Sequence, residues 1–173
     1  MGTYEDWPWQ YNFPPFFTIQ PNLTTRKLQL SAWCDLVLKY HRYQNQYVLD
    51  MREAQGSPLF SNKTLKRTLP AEGIAQVLAS LQASSNAEPL DKSKNRWYIY
   101  WHTLDEWAAL IYGWAEETGQ LGAVCTFYEI ANVPDQEFFG IDTEVLKKAL
   151  KVLESKKKAE IISFEDNNGV KFF

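Results

Sequence analysis

The chain has 173 residues, 45% hydrophobic and 23% charged, a balance that excludes wholesale disorder and permits one sizeable core or two small ones. Its net charge of -3 excludes a global positive field that would attract nucleic acid or acidic lipid. Cys34 and Cys125 lie far apart among apolar residues, which predicts buried thiols rather than a disulfide framework.

The N-terminus carries acidic residues and prolines, unlike the basic and apolar regions of a secretory signal. The longest nearly apolar run, 107–115, is far shorter than the roughly 20 residues that span a bilayer. We therefore expect a cytoplasmic protein whose contact with membranes is indirect.

Residues 1–23 are rich in aromatic residues and proline. Because proline fixes φ and lacks an N–H donor, we expect an extended arm rather than a helix. Packing on the arm's own domain is the favoured role of Trp7 and Trp9. A proline-stiffened backbone loses little entropy on docking, so partner binding is favoured over internal packing for one motif: Pro14, Pro15, Phe16 and Phe17.

The next segment predicts a helix that begins at Thr24 or Thr25 and spaces apolar residues at three and four positions. A loop follows it, and the short apolar run Leu59-Phe60 then stands in the place of the short strand. Asn62 is a residue that can cap a brief helix through Arg67. Pro70 suits the first turn of a further helix, and two strand-like runs joined by a polar turn complete this half of the chain, 87–90 and 97–100.

The second half repeats this order of elements. A helical stripe runs from Leu104 to Ala115, and a short strand follows at 123–125. Thr126 and Glu129 have the spacing of a capping box at a helix start. Asp142 can cap the next helix, and Asn168-Gly169 is a strong signal for a type I′ hairpin turn.

Helix, short strand, helix, helix and hairpin is the order of a winged helix, a helix-turn-helix followed by a β-hairpin. The sequence therefore predicts an α+β protein with two tandem winged-helix domains. We expect the first domain at 24–101 and the second at 102–173, with the arm at 1–23 packed on the first.

The chain offers little support for catalysis. It has two histidines, His41 and His102, and no nucleophile elbow, phosphate-binding loop, dinucleotide fingerprint or zinc-ligand spacing. Turn chemistry explains Asp166 better than calcium does, since the other loop ligands are missing. We expect no enzyme activity, no catalytic residue, no metal and no cofactor.

Winged helices often bind DNA through the second helix of the helix-turn-helix. In the second domain that helix follows Asp142 and carries lysines, among them Lys147, Lys148 and Lys151. Arginine, the usual base-reading residue, is absent there, and a solvated helix face with i,i+4 ion pairs is the favoured explanation of the lysines. We expect no nucleic-acid partner. A DNA-binding, transcription-associated winged-helix protein is the alternative function, and an isolated peptide-binding adaptor is the third.

Several motifs resemble the small-subunit family of the ESCRT-II endosomal sorting complex, and the resemblance covers essentially the whole chain. The longest runs from Trp7 to Asn22, and others are Glu53–Phe60, Leu90–Lys94, Lys158–Ile162 and Gly169–Phe173. The resemblance implies two tandem winged-helix domains and a non-enzymatic role in sorting ubiquitinated cargo into multivesicular bodies.

The resemblance also implies partners. Two copies of the chain would dock on the two larger ESCRT-II subunits through the first domain and the motif Pro14, Pro15, Phe16 and Phe17. The second domain would recruit and activate an ESCRT-III subunit, of the charged multivesicular body protein 6 type, by binding one of its helices. The protein would be recruited peripherally to endosomal membranes. The residues that we expect to contact the ESCRT-III helix are Thr126, Tyr128, Lys147 and Lys148.

Overall fold

The computed structural model describes residues 3–163, 165 and 167–173. Asp166, expected to serve a turn, lies outside the described residues. The chain forms two compact units, Met1–Trp101 and His102–Phe173, which we call domain 1 and domain 2. Among the described residues, no helix is both long and apolar enough to cross a membrane.

Domain 1 contains two short 3-10 turns, η1 and η2, before its first α-helix. Its described elements in chain order are η1 (Trp9–Asn12), η2 (Pro14–Phe17), α1 (Leu23–Gln44), β1 (Val48–Asp50), α2 (Met51–Ala54), β2 (Ser61–Asn62), β3 (Arg67–Thr68), α3 (Ala71–Ala83), β4 (Ala87–Pro89) and β5 (Arg96–Ile99). β5 lies between β1 and β4 in an antiparallel sheet. With α2 as the second helix, the elements follow the predicted order of helix, strand, helix, helix and hairpin, except that the β2–β3 hairpin, which the sequence pattern does not predict, lies between α2 and α3.

The core of domain 1 lies between α1, α3 and the sheet. α1 begins after Asn22, whose side chain accepts the Thr25 N–H at 3.0 Å and so satisfies one of the free donors at the helix start. The inward face of α1 buries Trp33 and Val37, and α3 buries Val77 opposite them. Non-local packing of these apolar faces stabilises helices that would be marginal in isolation.

The N-terminal segment is folded rather than extended, which corrects the predicted arm. η1 and η2 are two successive 3-10 turns, and Tyr4, Phe16 and Phe17 are buried in the core of domain 1. Proline fits this geometry because Pro14 stands in the first turn of η2, where its missing N–H has no helical partner to lose.

Two further expectations for domain 1 are wrong. Asn62 does not cap a helix: β2 and β3 form a hairpin, and the Asn62 side chain accepts the Leu65 N–H at 3.2 Å within its loop. Asparagine stabilises such turns by the same side-chain acceptor that caps helices, so the residue alone does not distinguish them. Leu59 and Phe60 are buried in a turn, and the first strand of the sheet is β1.

Domain 2 repeats the architecture in fewer residues. Its described elements are α4 (Leu104–Glu117), β6 (Val124–Thr126), α5 (Phe127–Ala131), α6 (Thr143–Ser155), β7 (Ala159–Ser163) and β8 (Asn168–Phe172). β8 lies between β6 and β7, as β5 lies between β1 and β4. The capping box of Thr126 and Glu129 and the Asp142 cap are both present, as predicted.

The last hairpin does not turn at Asn168-Gly169. Both residues lie inside β8, where Gly169 pairs with Ile162 on one side and Thr126 on the other. A two-residue turn there would place Glu165 opposite the buried Phe172 on the core face. The observed register places the small, buried Ala159 opposite Phe172 instead, so burial overrides the local turn signal.

Candidate interaction surfaces

The phenylalanines of the Pro14–Phe17 motif are core residues of domain 1. Phe16 is 3% exposed and Phe17 2% exposed. The Phe16 ring stacks on Trp33 with centroids 4.1 Å apart and planes 2° apart, and the Phe17 ring meets Trp33 edge-on at 5.5 Å. The 3-10 turn permits this, since successive side chains lie about 120° apart rather than on opposite sides. The expectation that these two rings are available to a partner is therefore wrong for the free chain.

Gln29, which the sequence pattern alone does not distinguish, links the N-terminal turns to α1. It is buried, and its Nε2 donates to the carbonyl oxygens of Phe16 at 3.0 Å and Thr18 at 2.8 Å. Its Oε1 accepts the Gln20 N–H at 3.1 Å. A glutamine one turn before Trp33 on the apolar stripe of α1 is the only sequence signal for this role.

The exposed part of the segment is a different set of residues, which we call the N-terminal ridge: Trp9, Phe13, Pro14 and Pro15. Trp9 is 70% exposed and Phe13 47% exposed, with ring centroids 5.7 Å apart. Both prolines are exposed beside them. Trp7, by contrast, is half-buried and stacks on Tyr11 at 3.9 Å. Internal packing is thus correct for Trp7 and wrong for Trp9. A contiguous exposed apolar surface of this kind is typical of interaction sites.

In domain 2, a cleft of about 380 Å³ lies beside α5 and the start of α6. Tyr128 is 74% exposed and lines it, and the other lining residues are Phe127, Ala131, Asn132, Thr143, Asn167 and Asn168. Of the four residues predicted to contact an ESCRT-III helix, Tyr128 alone is among the described lining residues.

The other three predicted contacts have different surroundings. Thr126 is engaged in the capping box, where its Oγ1 accepts the Glu129 N–H at 3.0 Å. Lys147 and Lys148 are both half-buried. Lys147 follows Thr143, a lining residue, by one helical turn, and Lys148 lies about 100° further round the helix. Lys147 is therefore the lysine on the Thr143 side of α6, although neither lysine is among the described lining residues.

Both histidines contact neighbouring groups of their own domain. His41 is buried, its Nδ1 lies 2.9 Å from the Gln46 carbonyl oxygen, and burial lowers its pKa from 6.5 to about 4. His102 contacts the Glu137 carboxylate at 3.3 Å. Within the part of the chain that the structure describes, no group of three or more potential metal ligands comes together.

Charge is distributed unevenly between the domains. Residues 1–101 hold eleven basic and eight acidic residues, a formal charge of +3. Residues 102–173 hold seven lysines and thirteen acidic residues, a formal charge of -6. The lysine-bearing helix α6 thus belongs to the acidic domain, which argues against the DNA-binding alternative.

Comparison with known proteins identifies the family. A family model described as ESCRT-II complex subunit matches residues 10–142. The chain belongs to this family. Its relatives include vacuolar protein-sorting-associated protein 25 of Homo sapiens, which is 50% identical over 171 residues, covering 97% of each chain. The same protein of Danio rerio is 49% identical over 171 residues, covering 97% of this chain and 98% of that one.

Solved structures of ESCRT-II proteins have the same fold. The crystal structure of subunit VPS25 of the endosomal trafficking complex ESCRT-II superimposes with a TM-score of 0.84 at 28% identity, covering 95% of this chain and 97% of that one. A chain in the crystal structure of endosomal complex ESCRT-II (VPS22/VPS25/VPS36) superimposes with a TM-score of 0.80 at 27% identity, covering 95% of this chain and 98% of that one. The ESCRT-II resemblance and the α+β fold class are both confirmed.

Proposed function

We propose that this chain is a non-enzymatic subunit of an ESCRT-II complex that sorts ubiquitinated cargo into multivesicular bodies. Two copies dock on the two larger subunits, the counterparts of VPS22 and VPS36 in the similar complex. The chain acts from the cytoplasm and reaches the endosomal membrane through its partners. The observation that carries the proposal is the N-terminal ridge, an apolar surface that domain 1 holds in place but does not cover.

The docking role divides between exposed and buried residues. Trp9, Phe13 and the two prolines present the apolar contact. Burial of the exposed parts of the two aromatic rings by a partner contributes about 2–4 kcal/mol in total. Phe16 and Phe17 pack in the core of domain 1 and hold η2 in place. Because the ridge is already ordered, docking costs little conformational entropy.

Domain 2 is free to take a second partner under this proposal. Its exposed Tyr128 and the mixed apolar and polar lining of the adjacent cleft suit an amphipathic helix laid across them, as expected of an ESCRT-III subunit. Lys147 at the side of the cleft complements acidic residues on that helix and raises the association rate more than the affinity.

The test is affinity capture of the two larger subunits by the full-length chain. We expect Trp9→Ala with Phe13→Ala to weaken capture at least a hundredfold, because the two rings together supply several kcal/mol. Leu121→Ala with Val124→Ala, which removes two exposed apolar residues of domain 2, is the matched control and should leave capture unchanged. Equal capture by both variants would overturn the proposed docking role.

A further inference from the structure

The β2–β3 hairpin is bonded directly to the turn that carries Trp9. The Asn62 Nδ2 donates to the Tyr11 carbonyl oxygen at 2.7 Å, and the Tyr11 hydroxyl donates to the carbonyl oxygens of Pro58 and Ser61 at 2.5 and 3.2 Å. β3 also lies against η2. The hairpin is therefore anchored to the segment that carries the N-terminal ridge.

This hairpin carries three of the basic residues that give domain 1 its positive charge. Lys63, Lys66 and Arg67 lie within five residues of one another, and all three side chains are exposed. Among the residues that the structure describes, none of the three forms an ion pair. The hairpin therefore presents uncompensated positive charge beside an exposed apolar ridge.

We infer that the hairpin is the charged rim of the docking surface, and that the partner face carries acidic residues around an apolar pocket. The inference rests on the proposed function, since it takes the occupant to be a larger ESCRT-II subunit. Opposite charges at the edge of an apolar contact steer association and fix its register. Their effect falls off over a Debye length of about 8 Å at physiological salt, so the rim acts mainly on the part of the partner that lies closest to the hairpin.

Two features of domain 1, one in the hairpin and one in α3, favour a protein over a membrane or a nucleic acid. Leu65, the apolar residue in the loop, packs against the core of domain 1 and so offers no anchor to lipid. The exposed residues of α3, the helix in the DNA-recognition position, include Glu72 and Gln82 and no basic residue. Three cations on one hairpin, without an exposed apolar anchor for lipid or a basic recognition helix for DNA, suit a charged rim that faces acidic residues of a protein.

The chain supplies a matched control for the test. Lys63→Glu with Lys66→Glu reverses two charges on the hairpin, and Lys92→Glu with Lys94→Glu reverses two on the loop between β4 and β5. All four side chains are exposed, and each pair includes one lysine at positive φ, Lys66 at 53° and Lys94 at 57°. The pairs therefore share charge change, exposure and backbone strain.

The measurement is the dissociation constant and association rate of each full-length variant toward the complex of the two larger subunits, between 50 and 300 mM salt. We expect the hairpin variant to bind about tenfold or more weakly at low salt, mainly through slower association, with a smaller difference at high salt. The control variant should bind within about twofold of the native chain.

The outcomes separate this inference from the proposed function. If the native chain does not bind the larger subunits, the proposed function fails. If it binds and the two double variants are equally affected or unaffected, the hairpin is not the rim and the docking role stands. Vesicles with 30% anionic lipid and a mixed-sequence DNA duplex complete the series. Loss of binding to either of these, with unchanged binding to the larger subunits, would assign the hairpin to that ligand instead.

Discussion

Phe16→Ala is expected to destabilise domain 1 strongly. The ring is 3% exposed and stacked on Trp33 at 4.1 Å, so its removal loses the transfer free energy of a buried aromatic side chain and leaves a cavity. Such substitutions cost about 3–5 kcal/mol, against a total stability of about 5–15 kcal/mol for a domain. Phe13→Ala removes the same ring where it is 47% exposed and should cost less than about 1 kcal/mol.

The assay is urea unfolding of the full-length chain together with hydrogen exchange of the peptides that cover α1 and α4. Phe16→Ala should lower the urea midpoint of domain 1 and the protection of α1, with α4 unchanged. Phe13→Ala should leave both helices protected while it weakens binding to the larger subunits. A stable Phe16→Ala chain that no longer binds them would show that this ring is a partner contact, and it would refute the division between exposed ridge and buried support.

Three further predictions test other parts of the account. Because burial holds the folded-state pKa of His41 at about 4, below the unfolded value of 6.5, the unfolded state takes up a proton first as pH falls. The free energy of unfolding should therefore be highest above pH 6.5 and decline by about 3 kcal/mol toward pH 4. His41→Asn should flatten that decline in urea titrations. Equal declines with pH in the native chain and the variant would contradict this role of His41. Thr126→Val should cost about 1 kcal/mol by removing the α5 cap, Thr126→Ser should restore most of it, and equal melting temperatures for all three chains would count against the capping role. Tyr128→Ala should weaken binding of an ESCRT-III N-terminal helix about tenfold, measured by calorimetry, without a change in melting temperature. Lys147→Ala should mainly slow association, measured by stopped flow. Unchanged affinity and association rate in both variants would indicate a site elsewhere on domain 2.

The elements that the sequence predicts well are those in which local signals and burial agree. α3 and α6 repeat the same apolar spacing, and the Thr126 capping box starts a helix where one is found. The duplicated order of elements follows from these, since each unit needs a hairpin to cover its helices. Agreement between local propensity and global packing is what makes a segment predictable.

The errors arise where a local signal competes with a distant contact. Asn168-Gly169 has the composition of a turn, but Phe172 has to face the core, and that sets the register of β8. The folded state of Phe16 depends on Trp33, seventeen residues away, and on the buried Gln29 amide. No window of sequence around the motif contains these partners, so the arm was predicted to be extended.

The candidate surfaces divide in the same way. Exposure of Trp9 and Phe13 becomes evident only when the turns are seen to place their neighbours inward. The lysines and arginine of the β2–β3 hairpin are visible in the sequence, but their place beside the ridge is not. It depends on the hydrogen bond from Asn62 to the Tyr11 carbonyl oxygen, which joins segments about fifty residues apart. Composition indicates that a residue type suits binding, and the tertiary fold decides which copies of it face a partner.

The most direct test of the central claim is the mass of the reconstituted assembly under native conditions. The two larger ESCRT-II subunits would be co-expressed, mixed with an excess of this 20.1 kDa chain and measured by native mass spectrometry. We expect one copy of each larger subunit with two copies of this chain, and loss of both copies when Trp9→Ala and Phe13→Ala are combined. A core that remains free of the native chain, or that keeps both copies of the double variant, would contradict it.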